Sequence, residues 1–295
     1  MTGAHPHIHL SYVLTTYNKL SYLQTTLPSL IDACSADEEI VVYDGGSTDG
    51  TKEFLHELFT AGKIHQFVSE KDYGEANGYN KAMLSAKGEI IKIISDDDAY
   101  DFKAIRFCRD FMLDNKQIHL VAADGFGVNN LLQTNEFYRR YAINDFKLWK
   151  EQKQPFIFCG LSILLRKDAI PLLGLWNTNY LIIDFEYSLR VTAGKANIGW
   201  FSGVNYVNIV NARSNSGTQW KRMEIEKEQL ELQYFNKKPL ISFKKMDSLK
   251  NLVRPIKRKL VKEGHTNPLP YETVYRQSME MLENTNKSLQ YEVLV

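Results

Sequence analysis

Cysteine is scarce in this chain. Cys34, Cys108 and Cys159 are the only three in 295 residues, and they stand far apart with no CxxC pair. That spacing argues against a zinc site or a disulfide framework and fits a reducing compartment. A surplus of one charge is lacking too: 36 Lys and Arg face 35 Asp and Glu, so no bulk electrostatic attraction points to nucleic acid. The first residues contain no apolar h-region, and no uninterrupted apolar run approaches the roughly 20 residues of a membrane span. A cytoplasmic location is the expectation. Neither GxxxxGK[ST] nor GxGxxG occurs, which removes the P-loop and the dinucleotide fingerprint. Internal repeats are absent and low-complexity content is negligible. With 44% hydrophobic and 24% charged residues, the composition is that of a globular protein of two domains or one large α/β domain.

What is there is an alternation of strand and helix patterns. Ile8 to Thr15 reads as a strand ending in Thr15-Thr16-Tyr17-Asn18. Ser21 then opens a helix with an apolar face of Tyr22, Leu23, Leu27, Leu30 and Ile31, kinked by Pro28. A strand over Glu39 to Tyr43, a helix over Thr51 to Thr60, a strand over Ile64 to Ser69 and a helix through Asn80, Lys81 and Met83 follow. The fourth strand closes a βαβαβαβ series, which implies a parallel sheet with right-handed crossovers. A helix over Phe102 to Leu113 and a strand over Ile118 to Ala123 continue it. Beyond Gly125 the rhythm breaks, and Asn129 to Lys153 reads as a mobile insertion over the site. Pro155 to Leu165 is expected as a strand, Asp168 to Leu175 as a short helix, and Leu181 to Arg190 as a loop entering a helix that ends at Gly194. Ile198 to Val210 reads as one or two strands, and Met223 to Tyr234 as a charged helix. His5, His7 and His9 alternate near the start, a spacing that suits metal, but read more simply as a disordered lead-in to the first strand.

The chemistry gathers where strands end. Gly88-Glu89-Ile90-Ile91-Lys92-Ile93-Ile94 is a short, mostly apolar, β-branched run, and Ser95-Asp96-Asp97-Asp98 puts three carboxylates at its carboxyl end. Open α/β sheets bind ligands there. Two carboxylates about 5 Å apart repel by about 3 kcal/mol at an effective dielectric near 20, and a divalent cation between them removes that cost. An EF-hand-like loop fits poorly, because Tyr100 and Asp101 fall where a ligand and the glycine belong. Asn18, Asp44 and Asp72 sit at the ends of the other three strands, on the same edge. In Asp44-Gly45-Gly46-Ser47-Thr48-Asp49-Gly50-Thr51, the glycines let backbone approach a ligand closely.

In this order, Thr16-Tyr17-Asn18-Lys19, Asp44 to Thr51, Asp72-Tyr73-Gly74 with Asn80-Lys81, and Ser95 to Asp98 resemble family 2 glycosyltransferases over about residues 8 to 210. The resemblance implies an α/β GT-A fold: a Rossmann-like, mostly parallel sheet with a smaller acceptor-side region. Residues 8–124 would bind the nucleotide sugar and 125–215 the acceptor, together a domain over 1–215. Residues 216–295 are read as a helical, partly basic C-terminal extension. By resemblance, Asp44, Gly45 and the turn of Thr15, Tyr17 and Asn18 would hold the base of a nucleotide-diphosphate sugar, a UDP-sugar being favoured. Asp72, with Asn80 and Lys81, would support the nucleoside. Asp98 resembles the ligand for Mn²⁺ or Mg²⁺, with Asp96 or Asp97 nearer the ribose; the register of three consecutive aspartates leaves Asp96 a second metal candidate.

A further family signature is an acidic residue opening a helix with an arginine one to two turns on. Asp184-Phe185-Glu186 with Arg190 resembles it, which implies Asp184 as the catalytic base and Glu186 as its rival. Two departures stand out: Ile183 precedes Asp184 where many members carry Glu, and Asn77 stands where many carry Asp. Trp176 and Trp200 suit stacking on a sugar, but core packing is the simpler role. Between Phe243 and Lys262, eight Lys and Arg face the single acid Asp247, with Leu249, Leu252, Val253, Ile256 and Leu260 interleaved. That basic amphipathic segment suits peripheral contact with the inner face of a membrane, or equally a solvated helix packed on the domain. The expected enzyme is an inverting, metal-dependent hexosyltransferase. It would act on a saccharide or lipid-linked acceptor in cell-surface polysaccharide or glycolipid synthesis, with an oligomer allowed. The alternatives are a nucleotide-sugar binding protein without transfer activity, and a sugar nucleotidyltransferase. The latter would carry a Gly- and Arg-rich loop after the first strand, and Thr15 to Leu20 contains none.

Overall fold

Alternating apolar residues make β1 (Leu10–Thr16) a strand buried on both faces, and the rest of the molecule is layered on it. A computed structural model describes residues 7–130, 136–194, 196–211, 219–235 and 269–295. In it β2 (Glu38–Asp44) and β4 (Ile90–Ile94) flank β1 in parallel, and β3 (Gln66–Ser69) extends the parallel set beyond β2. The crossovers are α1 (Leu20–Ala33), α2 (Thr51–Thr60) and α3 (Glu75–Ser85). Leu10, Tyr12 and Leu14 of β1 pack with Leu23, Leu27 and Leu30 of α1 on one face. Val13 packs with Ala82 and Met83 of α3 on the other. Each such fully buried side chain contributes about 1.5–3 kcal/mol. The α1 helix is continuous across Pro28 and starts at Leu20, next to the expected Ser21.

The second half of the sheet is mixed. After β5 (Ala99–Tyr100) and α4 (Phe102–Asp114), the ten-residue β6 (Leu120–Asn129) pairs antiparallel with β7 (Phe137–Arg140). Next come α5 (Ile143–Gln152), β8 (Leu164–Arg166), α6 (Ile170–Leu173), α7 (Ile183–Ala193) and β9 (Ile198–Val210). The charged α8 (Trp220–Phe235), α9 (Tyr271–Lys287) and β10 (Val293–Leu294) complete the described chain. The strand order is β10-β9-β6-β8-β4-β1-β2-β3, with β5 added to β9 and β7 to β6. β8 runs antiparallel to both β4 and β6, whereas β6 and β9 are parallel.

Three expectations change. The stretch 129–153, read as a mobile insertion, carries β7 and α5 in its described part. Phe146 and Trp149, three apart on α5, are buried in the core, and Trp149 Nε1 donates to the Thr192 carbonyl at 2.7 Å. Two aromatics among polar neighbours leave too weak a period to read. Pro155 to Leu165 is not a continuous strand. The chain turns through a 3₁₀ helix at Gly160–Ser162 before β8, and the fully buried Lys92 of β4 captures the Leu161 carbonyl there. Burial lowers the Lys92 pKa to about 7. Lastly, residues read as part of a C-terminal extension close the main sheet. β10 pairs with β9, and Asn286 of α9 donates to Asp101 and to the Val204 carbonyl, both at 2.7 Å. The basic segment 243–262 lies outside the described residues. Trp176 and Trp200 are core residues, 2% and 0% exposed.

Candidate active site

Chain direction sets the position of the site. From β1 the chain moves one way to β2 and β3, then returns to β4 on the other side, so β1 marks a topological switch point with a crevice at its carboxyl end. The turns leaving β1 and β2 are locked together. Asn18, in the left-handed region at φ 53°, donates its N–H to Ser47 Oγ and accepts the Thr48 N–H on Oδ1, both at 2.8 Å. The Gly45 N–H donates to the Thr16 carbonyl at 2.8 Å. Asp44 is buried, and its carboxylate accepts the Ser47 N–H, the Ser47 hydroxyl and, at 2.6 Å, the Ser69 hydroxyl. Its visible role is to hold the β2 turn against the end of β3.

Beside that turn, Thr15, Gly45, Asp72 and Gly78 converge. A Cβ on Gly78 would lie 1.9 Å from Thr15 Oγ1, and one on Gly45 would lie 2.7 Å from Asp72 Oδ2. Gly78 requires glycine, since the Thr15 Cβ itself would lie 2.9 Å away, whereas at Gly45 the Asp72 carboxylate would have to swing aside. Asp72 Oδ1 accepts the Gly74 N–H at 3.0 Å, and Tyr17 and Tyr73 stand exposed in the turns after β1 and β3. Asn80 and Lys81 of α3 also make contacts within the protein. Asn80 makes two 2.9 Å hydrogen bonds with the Trp176 backbone, tying α3 to the segment before α7. Lys81 pairs with Glu70 at 2.6 Å.

At the end of β4 the three aspartates are all buried. Asp96 accepts the Thr16 hydroxyl at 2.7 Å, and Lys19 Nζ contacts Asp97 and lies 3.7 Å from Asp96. Burial disfavours the Lys19 ammonium, but Asp96 and Asp97 more than reverse this and raise its pKa. Asn211 Nδ2 donates to Asp97 at 2.8 Å. Asp98 Oδ1 accepts the Ile209 N–H at 2.6 Å and Asn208 Nδ2 at 3.0 Å, while Oδ2 accepts the Ser95 hydroxyl at 2.5 Å. Burial first, and the neighbouring Asp97 charge second, push Asp96 and Asp98 well above the usual carboxylate range. An all-oxygen donor set in which two carboxylates are costly to ionise fits a hard divalent cation. Asp98 Oδ2 keeps a lone pair beyond its bond from Ser95. The three aspartates do not form a tight trio on their own, since no three carboxylate oxygens there lie within 4.8 Å of one another.

Asp184 opens α7 and accepts the Gly160 N–H at 3.2 Å and the Phe185 N–H at 3.0 Å. Burial raises its pKa, while the Gly160 N–H and the Arg140 guanidinium oppose that rise. Glu186 forms a two-pronged pair with Arg190, at 2.7 and 3.1 Å, and Arg190 also donates to the Leu173 and Leu175 carbonyls. The two acids of α7 therefore have different surroundings: one is bound to an arginine, the other is not.

Sequence reasoning missed the group joining the two halves. Arg140, on β7, donates to Asn208 Oδ1 at 2.9 Å and to Cys159 Sγ at 3.7 Å. Asn208 in turn donates to Asp98, so Arg140 lies between the acidic run and the surroundings of Asp184. No carboxylate lies within ion-pair distance of it among the described residues. The Cys159 thiol is pushed up by burial and by Asp184, so it stays protonated. Lys19, Asn208 and Asn211 were also missed. Asn208 and Asn211 follow from β9 lying beside the end of β4 through β5, which no local pattern reveals, whereas Lys19 is placed by the turn leaving β1, the neighbour of β4.

A family model described as "Glycosyl transferase family 2" matches residues 11–171. A chondroitin synthase of Pasteurella multocida (strain Pm70) is 28% identical over 127 residues, covering 42% of this chain and 13% of the synthase. This chain thus spans only a small part of that relative. The structure of S. aureus TarS 1–349 in complex with UDP-GlcNAc aligns with a TM-score of 0.54 at 15% identity, covering 96% of this chain and 74% of that one. The mannosyltransferase PcManGT from Pyrobaculum calidifontis, in complex with GDP-Man and Mn²⁺, aligns at 0.55 and 18% identity, covering 96% and 76%. At these identities the two structures speak for the fold.

Proposed function

The chain belongs to glycosyl transferase family 2, and from that premise we propose that it transfers a sugar from a nucleotide-diphosphate sugar to an acceptor hydroxyl with inversion. The observation that carries this reading is the pair of acidic groups just described. A buried acidic run ends β4 beside the switch point, and Asp184, which makes no ion pair among the described residues, opens α7, with Arg140 bonded to Asn208 near the one and Cys159 near the other. Thr15, Gly45 and Asp72 form the close-packed floor proposed for the nucleoside, with Tyr17 and Asn18 on its rim.

Asp98, with Asp96, would hold Mn²⁺ or Mg²⁺, which when bound offsets the diphosphate charge as it develops. Lys19 supplies a fixed positive charge to the same end of β4. Asp184 takes the proton of the acceptor hydroxyl as that oxygen attacks the anomeric carbon from the face opposite the diphosphate. The new C–O bond forms as the bond to the leaving phosphate oxygen breaks, and the electron pair departs with the nucleotide. The Gly160 N–H fixes the orientation of Asp184, and with the Arg140 charge it opposes the rise in pKa that burial causes. Glu186, held by Arg190, supports α7 instead of sharing the proton.

A UDP-sugar donor and a polysaccharide acceptor are the substrate classes we favour. TarS was captured with UDP-GlcNAc, and the chondroitin synthase relative bears a polymer's name. The rival donor class is a GDP-sugar, as in PcManGT. No helix among the described residues is long and apolar enough to cross a membrane, and peripheral attachment through 243–262 is part of the proposal. A thermal-shift screen of UDP- and GDP-sugars, with and without Mn²⁺, tests the reading. Ligand at 100 times its dissociation constant stabilises by about 2.7 kcal/mol. The expected hit needs the cation, and Asp98→Asn loses the cation-dependent part of the shift. A donor that stabilises but is neither hydrolysed nor transferred would favour the binding-protein alternative. Unchanged activity in excess chelator would remove the metal role.

A further inference from the structure

At the end of the sheet opposite the donor crevice, His7-Ile8-His9 leads into β1. Residues two apart on an extended chain share a face. That face meets Glu89 at the start of β4, because the Glu89 N–H donates to the Ile8 carbonyl at 3.2 Å and the Ile90 N–H to that of His9 at 2.9 Å. Both imidazoles converge on one carboxylate oxygen: His7 Nε2 lies 2.6 Å and His9 Nδ1 3.1 Å from Glu89 Oε1. Their rings stand edge to face, with centroids 4.7 Å apart. The three ligand atoms lie within 4.8 Å of one another, and no other trio of His, Cys, Asp or Glu does so among the described residues.

We propose that His7, His9 and Glu89 form a binding site for a divalent transition-metal ion of the zinc class. Two imidazole nitrogens and one carboxylate oxygen make a donor set that suits Zn²⁺ and discriminates against Mg²⁺ and Ca²⁺, which prefer oxygen throughout. A tetrahedral ion with bonds of about 2.0–2.1 Å sets its ligand atoms about 3.3 Å apart. The observed 2.6 and 3.1 Å therefore require only a small opening, and the side chain that must give most, His7, is 68% exposed. Glu89 and His9 are 37% and 36% exposed, so water can complete the coordination and the ion has a route in. An ion here clips the segment before β1 to β4. Nothing in this reading depends on transferase activity.

Zinc alone is the probe. The full chain, freed of metal by chelator and dialysis, is titrated with Zn²⁺ against a competing chromophoric chelator and by calorimetry. One Zn²⁺ per chain is expected to bind at micromolar or tighter affinity. His9→Ala and Glu89→Gln should each weaken that binding by at least about ten-fold, and Asp98→Asn should leave it unchanged. The melting midpoint should rise with Zn²⁺ in the wild type and not in a His7→Ala/His9→Ala variant. The assignment is overturned if no Zn²⁺ binds in that range, if Glu89→Gln binds as tightly as wild type, or if Asp98→Asn abolishes the binding. The first of these results leaves a hydrogen-bonded His–Glu cluster, and the last moves the ion to the β4 end.

Discussion

Replacing Asp184 by Asn separates the chemistry from the fold, because the structure sets the two costs on different scales. Asp184 accepts two backbone N–H groups, one per oxygen. Asn keeps one acceptor in the same shape and loses the other, a cost of about 0.5–1.5 kcal/mol. Against this, the variant removes a carboxylate that burial makes hard to ionise. A melting midpoint within a few degrees of wild type is expected. Loss of a general base costs turnover about 100- to 10,000-fold, or about 3–5 kcal/mol of barrier. Release of nucleotide diphosphate, measured with the donor found by thermal shift, should fall by that factor while donor affinity holds. The pH behaviour has a definite sign. A base must be deprotonated, so wild-type turnover should fall as pH drops through a value above that of an ordinary aspartate. For stability, a raised carboxylate binds more protons folded than unfolded, so its burial costs nothing below the unfolded pKa. The cost grows as pH rises through the window up to the folded value. Asp184→Asn should remove that loss. A folded Asp184→Asn enzyme with turnover within a few-fold of wild type would refute the base assignment.

Glu186→Gln should do the reverse. It leaves the Arg190 charge without its partner, lowering stability by about 1.5–3 kcal/mol in denaturant melts, while turnover per folded molecule stays near wild type. Gly78→Ala should drive Thr15 aside, since the added Cβ would meet its hydroxyl at 1.9 Å; a loss of about 1–3 kcal/mol and weaker nucleotide binding in titration calorimetry are expected. Membrane contact through 243–262 is tested by Lys→Glu changes at Lys257, Lys259 and Lys262, which should abolish sedimentation with anionic vesicles. Truncation before this segment is the wrong test, because it also removes β10 and the α9 contacts to Asp101 and Val204.

The parallel half of the sheet was legible because its code is local. β1, β2 and β4 are short β-branched or apolar runs, each ending in polar residues, and the helices between them have clear faces. Their tips were read as one edge, and Thr16, Asn18, Asp44 and Asp96 do lie there. What the tips do was less legible. Asp44 and Asn18 were read as ligand contacts, and the structure adds a second job for each, holding one turn against another. A ligand-binding aspartate and a turn-capping aspartate present the same letters, and the Ser47 and Ser69 hydroxyls on Asp44 become visible only in the fold.

The half proposed to hold the acceptor resisted reading for a different reason. Its parts are joined by long-range pairings, β6 with both β7 and β9 and β5 with β9, in which short strands carry no period of their own. Arg140 shows the consequence. Beside Arg139 in an aromatic, polar stretch it looks like one more surface cation. The antiparallel pairing of β7 on β6, together with the parallel pairing of β6 with β9, brings its guanidinium to Asn208 and Cys159. Asn208 is fixed by its bond to Asp98, so the same asparagine positions the carboxylate proposed for the cation and the arginine that opposes the burial of Asp184. A shift of β9 by one residue would turn Asn208 to the other face of the sheet. It would then lose Asp98 and Arg140 together. The register of that one strand therefore couples the donor end of the crevice to the proposed base, and no motif in either half contains that information.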